Sequence, residues 1–348
     1  MVNHNSPTRK PADWVPPVPA FSAHVDEPVT IAYYGIQCRG VDNQSDLSSF
    51  RQWCSAISEG PYAPQWRDCA EYVDADGYYT WLSIFYWRGS PRQFEGWASR
   101  PEHDAFWEDD LRVHGSSGFF REVLLVPNER LETLYSDADF DTGVGGGTGN
   151  HEGPIQSHNY WGSMRDRIPS SATERLEPEA LLSRQGDRAP TLGRRVFTQP
   201  KAELCTIRSG EDFAHVTGRE KSVFEEEIVP LVREGMLFLR DNPEATGCFS
   251  CHYMRETDPD GNPIARAFAT AHFDSLTHLE DWAESHPTHL KIFGRFIELA
   301  TELRGDVKLK LWHEVTVTPQ SGQIFEYVNC APNTGMLPYA LEATPSAA

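Results

Sequence analysis

The 348-residue sequence has no long apolar run. Its longest near-apolar stretch, Tyr78–Trp87, is broken by Thr80 and Ser83 and falls well short of the roughly 20 residues a bilayer-spanning helix needs. Basic residues are scarce, 31 Lys and Arg against 51 Asp and Glu, for a formal charge of −20. Phosphate backbones and anionic membrane surfaces demand a basic patch, so neither is expected as a partner. The N-terminal run MVNHNSPTRKPADWVPPVPAF lacks the apolar core of a secretion signal, and a cytoplasmic protein is expected. The seven cysteines (Cys38, Cys54, Cys69, Cys205, Cys248, Cys251, Cys330) are odd in number and scattered; in a reducing compartment most should be free thiols packed as small hydrophobes. The signatures GxGxxG before a helix, GxxxxGK[ST] and GxSxG are missing too, which argues against dinucleotide-binding, P-loop and serine-hydrolase chemistry.

What is present centres on residues 279–313. Pro287 suits the first position of a helix. From there His289, Phe293, Phe296 and Ala300 recur at helical spacing, which places His289 on the buried stripe of an amphipathic helix, with His286 at its entrance. A strand follows, in which Leu309, Leu311, His313 and Val315 share one face. Two histidines thus point from a helix and a strand into apolar surroundings. Each can be a hydrogen-bonded core histidine; together they can be an axial ligand and an acid/base residue around a cofactor.

Residues 1–29, rich in proline, read as an extended arm lying over a surface. Residues 30–348 read as a single domain of two related halves, about 30–150 and 200–340. Strands are expected at Thr30–Gln37, Gly77–Trp87, Phe119–Pro127, Lys201–Ile207, Ala265–His272 and Gln323–Asn329, and helices at Ser45–Ser58, Pro91–Leu111, Glu174–Leu182 and Gly218–Asn242. The halves are related by a repeat. Trp97-Ala98 matches Trp282-Ala283, Pro101 and His103 match Pro287 and His289, and Glu122-Val123 matches Glu314-Val315. Both blocks run strand, helix, strand, so the expected fold is α+β: duplicated units, antiparallel sheets face to face around a cavity, helices outside.

Other motifs have two readings. Asp139–Glu152 is glycine-rich and reads as a mobile loop. Cys248-Phe249-Ser250-Cys251-His252 fits C-x-x-C-H, the covalent haem pattern, but without an export signal two thiols near a turn is the better reading. Arg165 and Arg167 can be surface ion pairs with Asp166 or an acidic neighbour, or donors aimed into a cavity. Arg208-Ser209-Gly210-Glu211-Asp212 can be a turn or helix cap.

The runs HNYWGSMRDRIP (158–169), RSGEDF (208–213), GCFSCHYM (247–254), FATAHFDSLTHLEDWAESHPTHLKIFG (268–294), LWHEV (311–315) and YVNCAPNTGMLPY (327–339) resemble aldoxime dehydratases, phenylacetaldoxime dehydratases included, over most of residues 30–340. The resemblance implies a haem b lyase with a duplicated ferredoxin-like, dimeric α+β barrel fold, related to chlorite dismutases and dye-decolourising peroxidases, and we expect a homodimer. It implies His289 as proximal haem ligand, His313 as distal histidine, Ser209 as distal serine and Arg167 as site arginine, with Arg165 as fallback and Glu132 (in RLETLYS) as site acid. It further implies dehydration of an aldoxime to a nitrile with the oxime nitrogen on ferrous haem. A peroxidase or chlorite-decomposing enzyme of the same fold, or a non-enzymatic haem or electron-transfer protein, is the alternative. CFSCH is a departure not required by that chemistry.

Overall fold

A computed structural model describes residues 8–39, 43–148, 151–177, 191–198, 203–339 and 342–343. Runs dense in β-branched and aromatic residues form long strands, as their fit to a pleated surface leads one to expect. The strands are β1 (Ser22–Ala23), β2 (Val29–Cys38), β3 (Trp66–Val73), β4 (Tyr79–Arg88), β5 (Gly118–Val126), β6 (Leu131–Tyr135), β7 (His151–Glu152), β8 (Arg195–Thr198), β9 (Leu204–Asp212), β10 (Cys248–Thr257), β11 (Pro263–Phe273), β12 (Lys310–Thr318), β13 (Gln323–Val328) and β14 (Glu342–Ala343). The helices are α1 (Gln44–Ile57), α2 (Arg92–Ala98), α3 (Pro101–Trp107), α4 (Leu111–His114), α5 (Ser163–Arg167), α6 (Gly218–Val223), α7 (Val229–Asp241), α8 (Pro243–Thr246), α9 (Leu276–Ser285) and α10 (Pro287–Glu302).

Twelve strands make one antiparallel sheet in the order β14-β8-β13-β5-β2-β4-β3-β10-β11-β9-β12-β6. The fold is mixed α+β. Chain order within it is regular: β2, β3, β4 and β5 lie as β5-β2-β4-β3, and β9, β10, β11 and β12 lie as β12-β9-β11-β10, joined where β3 pairs β10. The sheet curls so that inward side chains from both parts share one core: Ile31, Tyr33, Leu82 and Phe120 with Phe249, Met254, Phe268 and Trp312. The outward faces are covered by helices. Phe50, Trp53, Trp97 and Trp107 pack on Tyr34, Phe85 and Phe119, and Leu239, Leu279 and Trp282 pack on Cys205, Ala271, Val315 and Val317. From Lys10 onward the N-terminal segment follows the body: the Trp14 indole N–H donates to His158 O, Phe21 bridges Tyr135, and β1 pairs β7.

Several expectations change. Pro91–Leu111 is two short helices, α2 and α3, with α4 starting at its last residue; Pro101 restarts the chain as the first residue of α3. Residues 174–177 are not helical, and 178–182 lie outside the described residues, as do 201–202 of the expected strand Lys201–Ile207. Cys248–His252 opens β10 directly after the left-handed turn at Gly247, and Arg208–Asp212 continues β9 rather than capping a helix. The glycine-rich segment is held fast across residues 143–145: Gly143 N–H donates to Asp68 (3.0 Å), Val144 N–H to Glu314 (2.7 Å) and Gly145 N–H to Tyr135 Oη (2.9 Å). Gly143 sits at φ +59°, which only glycine adopts without strain.

Candidate functional site

Period-two alternation divides neighbouring residues between the two sides of the sheet. On β12, Trp312 and Glu314 face the inner core, while His313 faces the helices. Ser209 is the direct cross-strand partner of His313, so it shares that outward face, and its hydroxyl is exposed apart from a long 3.4 Å contact to Trp312 O. Glu132 on β6 pairs Val315, two places along from His313.

Around His313 the surroundings are charged, not apolar as expected. Its Nε2 lies 2.9 Å from Arg167 Nη2 and 3.0 Å from Glu132 Oε1. Arg167 also donates through Nε to Glu132 Oε2 (2.7 Å) and through Nη1 to Ser157 O (2.8 Å). A neutral ring with its proton on Nδ1 accepts from the guanidinium at Nε2, whereas a ring with a proton on Nε2 faces the nearby carboxylate instead. The Glu132 carboxyl is completely buried. Burial alone would raise its pKa, but Arg167 and His313 outweigh that and hold it below the usual carboxylate value.

His289 comes from the other side. It sits in α10 just past its proline start, with His286 at the N-cap accepting from Thr288 N–H. Its Nδ1–H donates to Ala283 O at 2.6 Å, which fixes the tautomer and leaves Nε2 as a free lone-pair donor. Burial lowers its pKa, so the ring is neutral near pH 7. Rings of Trp282 (4.7 Å) and Trp161 (6.4 Å) stand beside it. Of the helical stripe expected to be buried, His289, Phe296 and Ala300 are half-buried, while Phe293 is 41% exposed. A neutral, oriented imidazole among apolar and aromatic groups suits the axial position of a haem.

The structure brings His313, Arg167 and Glu132 into contact and sets Ser209 alongside. His289 touches none of them; Trp161, six residues before Arg167 on the same segment, joins the two sides. Arg165 is not part of the cluster. It pairs with Glu280 (2.7 Å) and Glu177 (3.1 Å). Neither arginine pairs with Asp166. His103, the repeat counterpart of His289, is packed among Trp53, Trp97 and Trp107 and bonded to Tyr34 Oη, so this space in the first half is filled by indoles. Cys248 and Cys251 are buried free thiols, and His252 lies against Tyr72 at 4.4 Å.

Sequence reasoning missed Arg208. It is fully buried between the two parts of the sheet, donates to Asp68 (2.9 Å) and Tyr86, lies 3.5 Å from Glu314, and rests on the Phe268 ring. Alternation was the available signal: Ser209 outward puts Arg208 inward. A small cavity of about 20 Å³, lined by Tyr33, Glu122, His252 and His272 among others, also lies on that inner side; it has room for about one water.

The chain matches the model of the family described as haem-containing dehydratase across residues 32–336. It belongs to that family. This haem-containing dehydratase is 38% identical to an aliphatic aldoxime dehydratase of Pseudomonas chlororaphis, over 96% of the chain and 95% of the relative. It is 31% identical to a phenylacetaldoxime dehydratase of Bacillus sp. (strain OxB-1), over 89% and 88%. A crystal structure of an aldoxime dehydratase in complex with butyraldoxime superposes with a TM-score of 0.91 at 35% identity, covering 98% of this chain and 94% of that one. Among the described residues no helix is long and apolar enough to cross a membrane.

Proposed function

We propose that this haem-containing dehydratase converts aldoximes to nitriles, R–CH=N–OH to R–C≡N plus water. The observation that carries the reading is the contact of His313 with both a guanidinium and a buried carboxylate, on the sheet face that also presents Ser209. The expected cofactor is haem b, ferrous when active, which His289 would hold through Nε2; when bound it would supply an iron with affinity for nitrogen and the electron density for N–O cleavage. The buried thiols of Cys248 and Cys251 support non-covalent binding.

Hydroxide leaves poorly, so the oxime oxygen needs a proton as the N–O bond breaks. His313, protonated at both ring nitrogens, can give it from Nδ1, which makes no hydrogen bond among the described residues, while Nε2–H faces the Glu132 carboxylate 3.0 Å away. The carboxylate stabilises the imidazolium before transfer, as in other acid–histidine pairs. The neutral ring can then take the proton from the oxime carbon at the same Nδ1, so the cycle ends as it began. Ser209 is placed to hold the oxime hydroxyl, and Arg167 offsets negative charge developing near it.

The strand orders β5-β2-β4-β3 and β12-β9-β11-β10 support two ferredoxin-like units closed into a dimeric α+β barrel; of the expected arm 1–29, residues 1–7 lie outside the described residues, and the contacts from Thr8 onward support the rest. The charge of −20 supports a small-molecule substrate rather than nucleic acid or membrane. The seven buried thiols support a cytoplasmic setting, and exposed Leu237 and Leu290 on neighbouring helices support a homodimer. The deciding experiment mixes anaerobic, dithionite-reduced holoprotein with phenylacetaldoxime and with butyraldoxime and reads the product by gas chromatography. Nitrile from either supports the activity; none from both, or peroxide-driven dye oxidation outpacing nitrile, overturns it.

A further inference from the structure

We propose that the N-terminal segment 8–14 is a positioning device for the site, holding Asp166 and thereby setting Arg167 against His313. This rests on the role given to Arg167 above.

Asp166 lies between the two arginines in α5, yet its carboxylate turns to the segment. It accepts from Thr8 Oγ1 (2.7 Å), from the backbone N–H of Arg9 (3.0 Å) and from that of Lys10 (3.1 Å), and also from Tyr160 Oη (2.9 Å). Four donors on one carboxylate fix its orientation, and the next residue is Arg167. The fit is close on the other side too. Gly162, the N-cap of α5, sits at φ +87°, and a Cβ there would meet the Arg9 side chain at 2.1 Å. Trp14 completes the hold, with its N–H on His158 O and its ring edge-on to Tyr160 at 5.9 Å.

The same segment reaches the other half of the site. Arg9 Nη1 lies 3.5 Å from Glu280, which pairs with Arg165. Glu280 is on α9, one turn before Ala283, whose carbonyl orients His289. One extended strip of chain therefore braces both the segment carrying Arg167 and the helix leading to the axial histidine. α5 has only five residues and little stability of its own, so its placement depends on such braces.

The test is Asp166→Ala in the full-length holoprotein, with Lys10→Pro as a second variant that removes one donor without touching the body, and Arg167→Lys as a control. Asp166→Ala should bind haem normally and lower kcat about tenfold with a smaller change in KM. In the haem-free protein the NMR correlation of Arg167 Nε–H, protected by Glu132, should be lost to solvent exchange. Lys10→Pro should move both readouts the same way by less, and Asp166→Asn, which keeps one acceptor oxygen, should recover part of the rate. Unchanged kcat and an unchanged Arg167 signal in Asp166→Ala overturn the proposal. If Arg167→Lys also keeps full activity, the role of Arg167 itself fails.

Discussion

Glu132 and His313 form a diagonal pair across two antiparallel strands, 3.0 Å apart, with Arg167 closing the triangle. Glu132→Gln keeps the shape and removes the charge. Turnover should fall about ten- to a hundredfold at unchanged haem content, read from the Soret band beside nitrile formation. The acid limb of stability should change too. The folded carboxyl titrates below its ordinary value of 4.5, so its ionised form stabilises the fold above that pH, and the contribution disappears as pH falls through the folded value. Wild-type protein should lose stability there; Glu132→Gln should lack that component. Identical acid unfolding curves would contradict it.

His289 and His313 should separate binding from chemistry. His289→Ala removes the oriented lone pair, so haem should be lost or its Soret band displaced, and added imidazole should restore part of it. His313→Ala should keep haem and lose turnover by roughly 10²-fold, the scale of a positioned acid/base group. Full activity in His313→Ala would remove it from its role.

Arg165 and Arg167, two residues apart, should behave oppositely. Arg165→Ala leaves the nearly buried Glu280 carboxylate with only the longer 3.5 Å contact to Arg9, costing about 1–3 kcal/mol of stability, with kcat per folded molecule preserved. Arg167→Ala should cost turnover first. Thermal melts and rates on the same samples check both.

Fold and site were not equally legible in the sequence. Long, self-consistent runs such as Tyr79–Arg88 and Pro287–Glu302 stood out because propensity, period and punctuation agreed. Trp66–Val73 and Leu131–Tyr135 did not: Arg67, Asp68 and Glu71 interrupt the apolar pattern of one and Glu132 that of the other, and the structure buries Asp68 against Arg208 and Glu132 against Arg167. The same cause hid the charged setting of His313. Its partners come from β6 and α5, distant in sequence, and no periodicity links them. Glu132 and Arg167 entered through family resemblance, while their contact with His313 came from the fold.

Glu211 offers a test of buried charge beside the site. It lies two residues beyond Ser209 on the same face of β9, is 7% exposed, and accepts one hydrogen bond from Tyr253 Oη at 2.5 Å. Burial pushes its carboxyl up to about 7, against the smaller opposing effect of that bond. A raised acid binds its proton more tightly in the folded than in the unfolded chain, so stability is highest below the unfolded value of 4.5 and declines as pH rises toward 7. Glutamine keeps an acceptor for Tyr253 and has no charge to bury. Glu211→Gln should therefore match wild type near pH 4 and exceed it at pH 8, by on the order of 3 kcal/mol at most. Denaturant unfolding at the two pH values measures the difference; an equal gain at both would show that packing, not ionisation, distinguishes the variants.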